Sequence, residues 1–371
     1  MTTKLILLKN NLTEALIALE RAIGINTNLP ILKNVLIRVE KAKIYFIATN
    51  LELAITCSVS GKIVDNGEIT VPFSLFLSLA KNLTAERVTL EQKDKHLVIT
   101  TDNYEATLQT QSAKEFPIIP TIHNTTQTLK ISAPLFLETL RAVFVATQYS
   151  EIRPEISGFL LKFSEDRLFL VATDSFRLSE SILESGEATS TLEECAVIVP
   201  FRTAEELLRF LASEKGNVDI FIDANQILFK TETKELISRL VDGVFPEYNP
   251  IIPKQTQNEI LVNREEFVSA VKLASSFAGR ANDITISVGE NKKYIDLFCA
   301  DSTLGENHYK IPVKLKGETF SIVFNWRYFL DGLKIFSNRD ITLGVNSADR
   351  PAVLKDPLQP HLTYVVMPIK S

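Results

Sequence analysis

The same order of pattern elements recurs three times along this chain, and a repeated unit constrains architecture before any single motif is read. Each copy opens on a helix-capping residue followed by apolar positions three and four apart: NNLTEALIALERAI from Asn10, SAPLFLETLRAVFVAT from Ser132 and NREEFVSAVKLASSFAG from Asn263. A pair of strands follows. LPILKNVLIRVEKAKIYFIATNLELAIT lies over RPEISGFLLKFSEDRLFLVATDSFRLSE, so Pro30 matches Pro154 and Ala48-Thr49-Asn50 matches Ala172-Thr173-Asp174. The third copy, ITISVGENKKYIDLFCADSTLGENHYK, keeps the rhythm and the Ala300-Asp301 step but has drifted most. Next comes an apolar strand entering a second helix, in EITVPFSLFLSLAKNL, AVIVPFRTAEELLRFLAS and FSIVFNWRYFLDGLKIFS. A hairpin then closes each copy on proline, at FPIIP, FPEYNPIIP and YVVMPIK.

Apolar alternation at period two in KIYFIAT, RLFLVAT and HLVITT marks strands, and the short turns EKAK, SEDR and EQKDK join them as antiparallel neighbours. Two helices per copy covering one side of such sheets define an α+β fold. The expected domains are 1–121, 128–253 and 254–371, with polar linkers TIHNTTQ and QTQNE between them. A length of 371 residues suits two or three cores of that kind.

Composition narrows the function classes. With 45% hydrophobic and 23% charged residues, the chain reads as an ordinary soluble globular protein. Its first apolar run, LILL, reads as a strand and not as a signal peptide, and no stretch reaches the ~18 apolar residues of a membrane span. A cytoplasmic protein is expected. Cys57, Cys195 and Cys299 are scattered and unpaired in sequence, and His96, His123, His308 and His361 show no metal-ligand spacing, so neither a disulfide framework nor a zinc enzyme is indicated. No cofactor is expected. The net charge of −5 argues against simple adhesion to nucleic acid but leaves room for one basic face on an otherwise acidic protein.

The chemically richest stretch is VATDSFRLSE, residues 171–180. Asp174 beside Ser175 and Arg177 has the residue types of a hydrolase site, with Asp174 as general base. No histidine is local, however, and no Gly-rich phosphate loop occurs. Asp174 also has repeat counterparts in Asn50 and Asp301. That substitution pattern suits a turn residue bonding its own backbone.

The three-copy plan, together with LPILKNVLIRV, RPEISGFLL leading to VATDSFRLSE, LVDGVFPEYNPIIPK and the terminal YVVMPIK, resembles the bacterial β sliding clamp family, processivity factors of DNA polymerase III. The resemblance covers the whole chain and implies a non-catalytic, head-to-tail homodimeric ring. Three domains per chain would encircle double-stranded DNA without sequence preference, with helices inside and sheets outside. It implies a pocket for client peptides, formed by Ile156, Thr173, Ser175, Phe176, Arg177, Leu178, Pro246, Ile251, Asn325, Tyr328, Arg350, Val365, Val366, Met367, Pro368 and Ile369. Leu178, Ile156, Ile251, Val366 and Met367 are expected to offer an apolar cavity to a Leu or Phe anchor. The implied partners are the DNA polymerase III α subunit, the clamp-loader δ subunit, and other polymerases and repair proteins carrying clamp-binding peptides. Lys81, Arg141, Arg153, Arg202, Arg209, Lys272, Arg280 and Lys334 are the expected DNA-facing cations. Ala106 and Phe277 fall near the implied dimer contact. Pro250 and Asn26 stand where family members place arginines, which removes one rim contact and one DNA contact from the expectation. A repeat-built protein-binding scaffold that does not encircle DNA is the remaining alternative.

Overall fold

The computed structural model describes residues 3–24, 28–40, 42–122, 126–192 and 194–370. Asn26 lies outside them. Six α-helices of eight or more residues occur among the described residues: α1 (Lys9–Leu19), α2 (Phe73–Asn82), α3 (Ala133–Phe144), α4 (Phe201–Ala212), α5 (Arg264–Ser275) and α6 (Trp326–Lys334). They are two per repeat, as the periodicity predicts.

Their starts differ in part from the sequence expectation. Asn263 caps α5 through its side chain, accepting from the Glu266 amide at 3.0 Å, and Glu265 and Glu266 add negative charge to the first turn. Asn10, by contrast, lies inside α1, whose first amide, on Lys9, donates to the Glu86 carbonyl at 2.9 Å. The same device recurs. Ala133 N donates to Gly216 O, Phe201 N to Ser157 O, Arg264 N to Arg339 O and Trp326 N to Asn282 O, at 2.8–3.0 Å. A helix N-terminus leaves amides without intrahelical partners, and a carbonyl from elsewhere in the chain here satisfies the first of them, beside the side-chain caps Asn263 at α5 and Asn325 at α6.

The chain gathers into two compact units. The first comprises residues 1–134, 189–192 and 205–240, and the second 135–188, 193–204 and 241–371. In the first unit, a five-stranded sheet runs in the order Gly61–Asp65, Lys4–Leu8, Arg87–Lys93, His96–Thr100, Glu105–Gln109. A nine-stranded sheet joins the first and middle repeats, where Lys234–Arg239 pairs antiparallel with Leu53–Val59, placing Leu236 opposite Ile55 and Ile237 opposite Ala54.

The second unit repeats the plan. Its nine-stranded sheet joins the middle and last repeats, where Arg177–Leu183 pairs antiparallel with Gln359–Val366 and Leu178 faces Val365. Its four-stranded sheet runs Gly305–Pro312, Tyr294–Asp301, Asp283–Val288, Phe320–Asn325. Every named strand pair is antiparallel, as the short turns require. The middle repeat thus contributes strands to both units.

The helices bury one stripe each on these sheets. Leu12, Ala15, Leu16 and Leu19 are the buried face of α1, and Phe267, Ala270, Val271 and Ala274 that of α5, at the i, i+3, i+4, i+7 spacing of an amphipathic helix. Phe267 and Phe324 both meet Phe329 of α6, with ring centroids 5.2 and 5.3 Å apart. Cys57 and Cys299 are free and buried in this apolar packing, which pushes their thiols up to about 12 and about 11. Both are therefore protonated at neutral pH and act as small apolar side chains.

Candidate functional site

The VATDSFRL stretch closes the hairpin between strands Arg167–Thr173 and Arg177–Leu183, and the sequence makes the turn by itself. Asp174 Oδ1 accepts the amides of Phe176 and Arg177 at 2.9 and 3.0 Å, while Thr173 Oγ1 accepts the Ser175 amide and donates to the Arg177 carbonyl. Ser175 is held at φ 78°. The first repeat is built the same way: Asn50 Oδ1 accepts the amides of Glu52 and Leu53, Thr49 Oγ1 bonds Leu51 N and Leu53 O, and Leu51 sits at φ 76°. In the third, Asp301 Oδ1 accepts from Thr303 N and Leu304 N, and these bonds with Thr303 lower its carboxyl below the ordinary aspartate range.

Asp174 is therefore a turn residue with no oxygen to spare for catalysis. Its second oxygen takes the Arg177 guanidinium at 2.9 Å. Arg177 has no counterpart in the repeats, where Leu53 occupies its place. Its guanidinium also reaches Asp331 of α6 at 2.7 Å and lies 4.4 Å from the Tyr328 ring centroid. Burial works against this charge, but Tyr364, Asp174 and Asp331 outweigh it and hold the guanidinium protonated beyond its usual range. Phe176, 56% accessible, stacks on Tyr328 with ring centroids 6.2 Å apart. Sequence reading missed Asp331 and Tyr364, whose hydroxyl donates to the Tyr328 carbonyl at 2.7 Å. Nothing local in either residue's sequence context marks these contacts.

The C-terminal strand runs alongside. Met367 N donates to Phe176 O and Ile369 N to Val323 O, both at 2.8 Å, and Pro368 bridges to Phe324. This brings Phe176, Arg177, Tyr328, Met367, Pro368 and Ile369 together in the second unit. Behind them, Leu178, Val365, Phe245 and Tyr248 form one buried apolar cluster.

The expected cavity meets a closed surface at three positions. Leu178 is 2% and Val366 0% accessible, and Ile156 is buried as well, so these side chains are floor beneath the exposed residues. Ile251, at 42%, and the half-buried Met367 and Pro246 remain available. Asn325 is committed to capping α6, accepting the Arg327 amide at 3.0 Å. Thr173 is buried in its turn, and Arg350 and Pro250 are exposed.

Glu180 is buried beside the apolar cluster. Tyr248 donates a hydrogen bond to Glu180, and burial raises the Glu180 carboxyl above the ordinary glutamate value against the opposing pull of Tyr248 and Lys355.

The eight expected DNA-facing cations are all exposed. Lys81, Arg141, Lys272 and Lys334 project from the last turns of α2, α3, α5 and α6, and Arg280 from the turn after α5. Arg202 lies over the Tyr149 ring at 5.5 Å. Arg153 donates to Ser175 Oγ at 2.7 Å and pairs with Glu155. Arg209 is bound within its own helix by Glu205 and Glu206, which spends much of its charge locally.

A repeat-built α+β protein whose one reactive-looking carboxylate is locked into a turn, and whose exposed aromatic and apolar residues gather along a C-terminal strand, belongs in class to the binding proteins. Three family models match successive segments: the N-terminal, central and C-terminal domains of the DNA polymerase III beta subunit, over residues 3–120, 130–247 and 249–370. The beta sliding clamp of Synechococcus elongatus is 30% identical over 99% of both chains, and that of Bacillus subtilis 27% identical over 98% of both. A crystal structure of the Bacillus subtilis sliding clamp superposes with a TM-score of 0.94 at 25% identity, covering both chains fully. The chain belongs to the DNA polymerase III beta subunit family, the beta sliding clamps, which are accessory and not catalytic subunits.

Proposed function

We propose that two copies of this chain close head to tail into a ring around duplex DNA and tether client proteins through the surface built on Phe176, Arg177, Tyr328, Ile251 and Met367. The observation that carries the ring is strand bookkeeping. Within each chain, a five-stranded and a four-stranded half already fuse into a nine-stranded sheet at both repeat junctions. What is left over is one five-stranded sheet ending on Glu105–Gln109 and one four-stranded sheet ending on Gly305–Pro312. Pairing these two free edges between copies makes a third sheet of the same kind and removes both edges.

The internal junctions also supply the register. Leu236 opposite Ile55 corresponds to Ala106 opposite Asn307 of the other copy, and Glu235 opposite Thr56 corresponds to Glu105 opposite His308. α5 packs against the Gly305–Pro312 strand, and it carries exposed Leu273 near its end, with half-buried Phe277 in the turn that follows. Leu273 joins Ala106 and Phe277 in the proposed contact.

Inside the ring the exposed cations face phosphates, whose contacts carry no sequence information and permit sliding. Retention is then topological, and an acidic chain with a few spread cations suits it better than a strongly basic one. Extended client peptides dock an apolar anchor on the Phe176–Met367 ledge, as the α subunit of the polymerase, the clamp-loader δ subunit, and other polymerases and repair proteins would. The setting is the cytoplasm.

The test is a chain carrying Ala106→Cys and Asn307→Cys. Mild oxidation should give a covalent species of two chains and no larger. A monomer alone, or a ladder of longer polymers, contradicts ring closure.

A further inference from the structure

The tetrapeptide Pro-Ile-Ile-Pro occurs twice, at 117–120 and 250–253, each time at the end of a repeat. In the second copy, Ile252 packs on the buried cluster while Ile251 faces outward beside the docking ledge. In the first, Ile119 packs inward against two buried clusters and Ile118 stands 95% accessible. So large an apolar side chain held out on a segment whose next residue is anchored calls for an explanation.

Near Ile118, the first unit repeats the turn and the strand junction of the second. The Thr49–Leu53 turn repeats the Thr173–Arg177 turn. Arg239 N donates to Glu52 O at 3.1 Å, as Met367 N does to Phe176 O at 2.8 Å. Leu53 faces Ser238 as Arg177 faces Val366. Thr49, Leu51, Pro117, Ile118, Ile237 and Arg239 enclose a hollow of about 80 Å³ within the first unit, with Leu51 also exposed. That is room for one aliphatic side chain.

The two surfaces differ in their charges. Where the second unit offers Phe176 and Met367, the first offers Glu52 and Arg239. Arg239 is exposed and forms no ion pair among the described residues. An unpaired guanidinium at the lip of an apolar hollow complements a carboxylate next to an apolar anchor.

We infer that the surface formed by Leu51, Ile118 and Arg239 is a second docking groove, which takes an extended peptide carrying an apolar side chain beside an acidic one. The inference borrows its geometry from the peptide-docking reading of the Phe176–Met367 ledge, so its test keeps the two apart. The probe is the synthetic peptide Gly-Asp-Leu-Bpa-Asp-Gly, Bpa being benzoylphenylalanine, photo-crosslinked to the full chain and mapped by mass spectrometry.

The groove should be labelled at 117–120 or 237–239. The double variant Ile118→Asp, Arg239→Glu should lower that labelling about ten-fold while leaving the labelling around 250–253 and 365–369 and the thermal midpoint unchanged. A peptide with Lys in place of both Asp should label the wild-type groove less and the Arg239→Glu groove more. Absence of label in the first unit, or label there that the double variant does not reduce, overturns the inference. Label in the first unit with none at 250–253 or 365–369 upholds it and instead removes the docking reading of the ledge.

Discussion

Asp174 and Arg177 show how one residue can be common property of a fold and its neighbour private to a site. Asp174 makes the turn bonds that Asn50 and Asp301 make elsewhere, while Arg177 uses that carboxylate's free oxygen to hold a charge against α6. The Asp174 side chain is 1% accessible, so Arg177→Ala strands a carboxylate in the interior. Breaking a buried pair from one side costs about 3–5 kcal/mol, and urea unfolding of that variant should show a loss of this size. A loss below about 1 kcal/mol would place the pair among surface ion pairs. Glu180 has the opposite leaning. Its folded-state carboxyl titrates above the ordinary glutamate value of 4.5, so the stability it contributes is full below that value and falls as pH rises through the raised one. Glu180→Gln keeps an acceptor for Tyr248 and removes the buried charge. Its thermal midpoint should match the wild type in acid, exceed it at neutral pH and vary less in between, whereas parallel profiles would contradict the assignment.

At the scale of elements, the last strand joins the ledge to α6. Gly332 lets α6 approach it closely, since a Cβ there would stand 2.3 Å from Tyr364 Cε1. Deleting the last five residues removes the backbone bonds of Met367 and Ile369 but neither free sheet edge. On the proposed reading it should therefore abolish binding of an apolar-anchored client peptide in a fluorescence anisotropy titration and leave the sedimenting mass unchanged at that of the proposed dimer. Unaltered affinity would move the docking site elsewhere. Much of this architecture was legible from sequence: the six helices, the hairpins and the turn at 173–177 all follow from local periodicity and from side chains bonding their own backbone. Three things were not. The helix start at Lys9 depends on the carbonyl of Glu86, the Arg177–Asp331 pair spans 154 positions, and the closure of Leu178 and Val366 arises only when strands from two repeats pair. Each is tertiary, and no local pattern encodes it.

For the whole molecule, repetition does the organising. Two junctions inside the chain show how a repeat's end joins the next repeat's sheet, and the edges at Glu105–Gln109 and Gly305–Pro312 pose the same join between copies in the proposed ring. In the proposed ring the cations need only be exposed and spread, not concentrated, because a closed ring would be held by topology. That is the central claim, and loading the protein on circular duplex DNA and then linearising the circle tests it directly. Protein should stay with the intact circle through gel filtration in salt high enough to suppress phosphate contacts, and leave once the circle is cut. Equal release from circular and linear DNA would contradict encirclement.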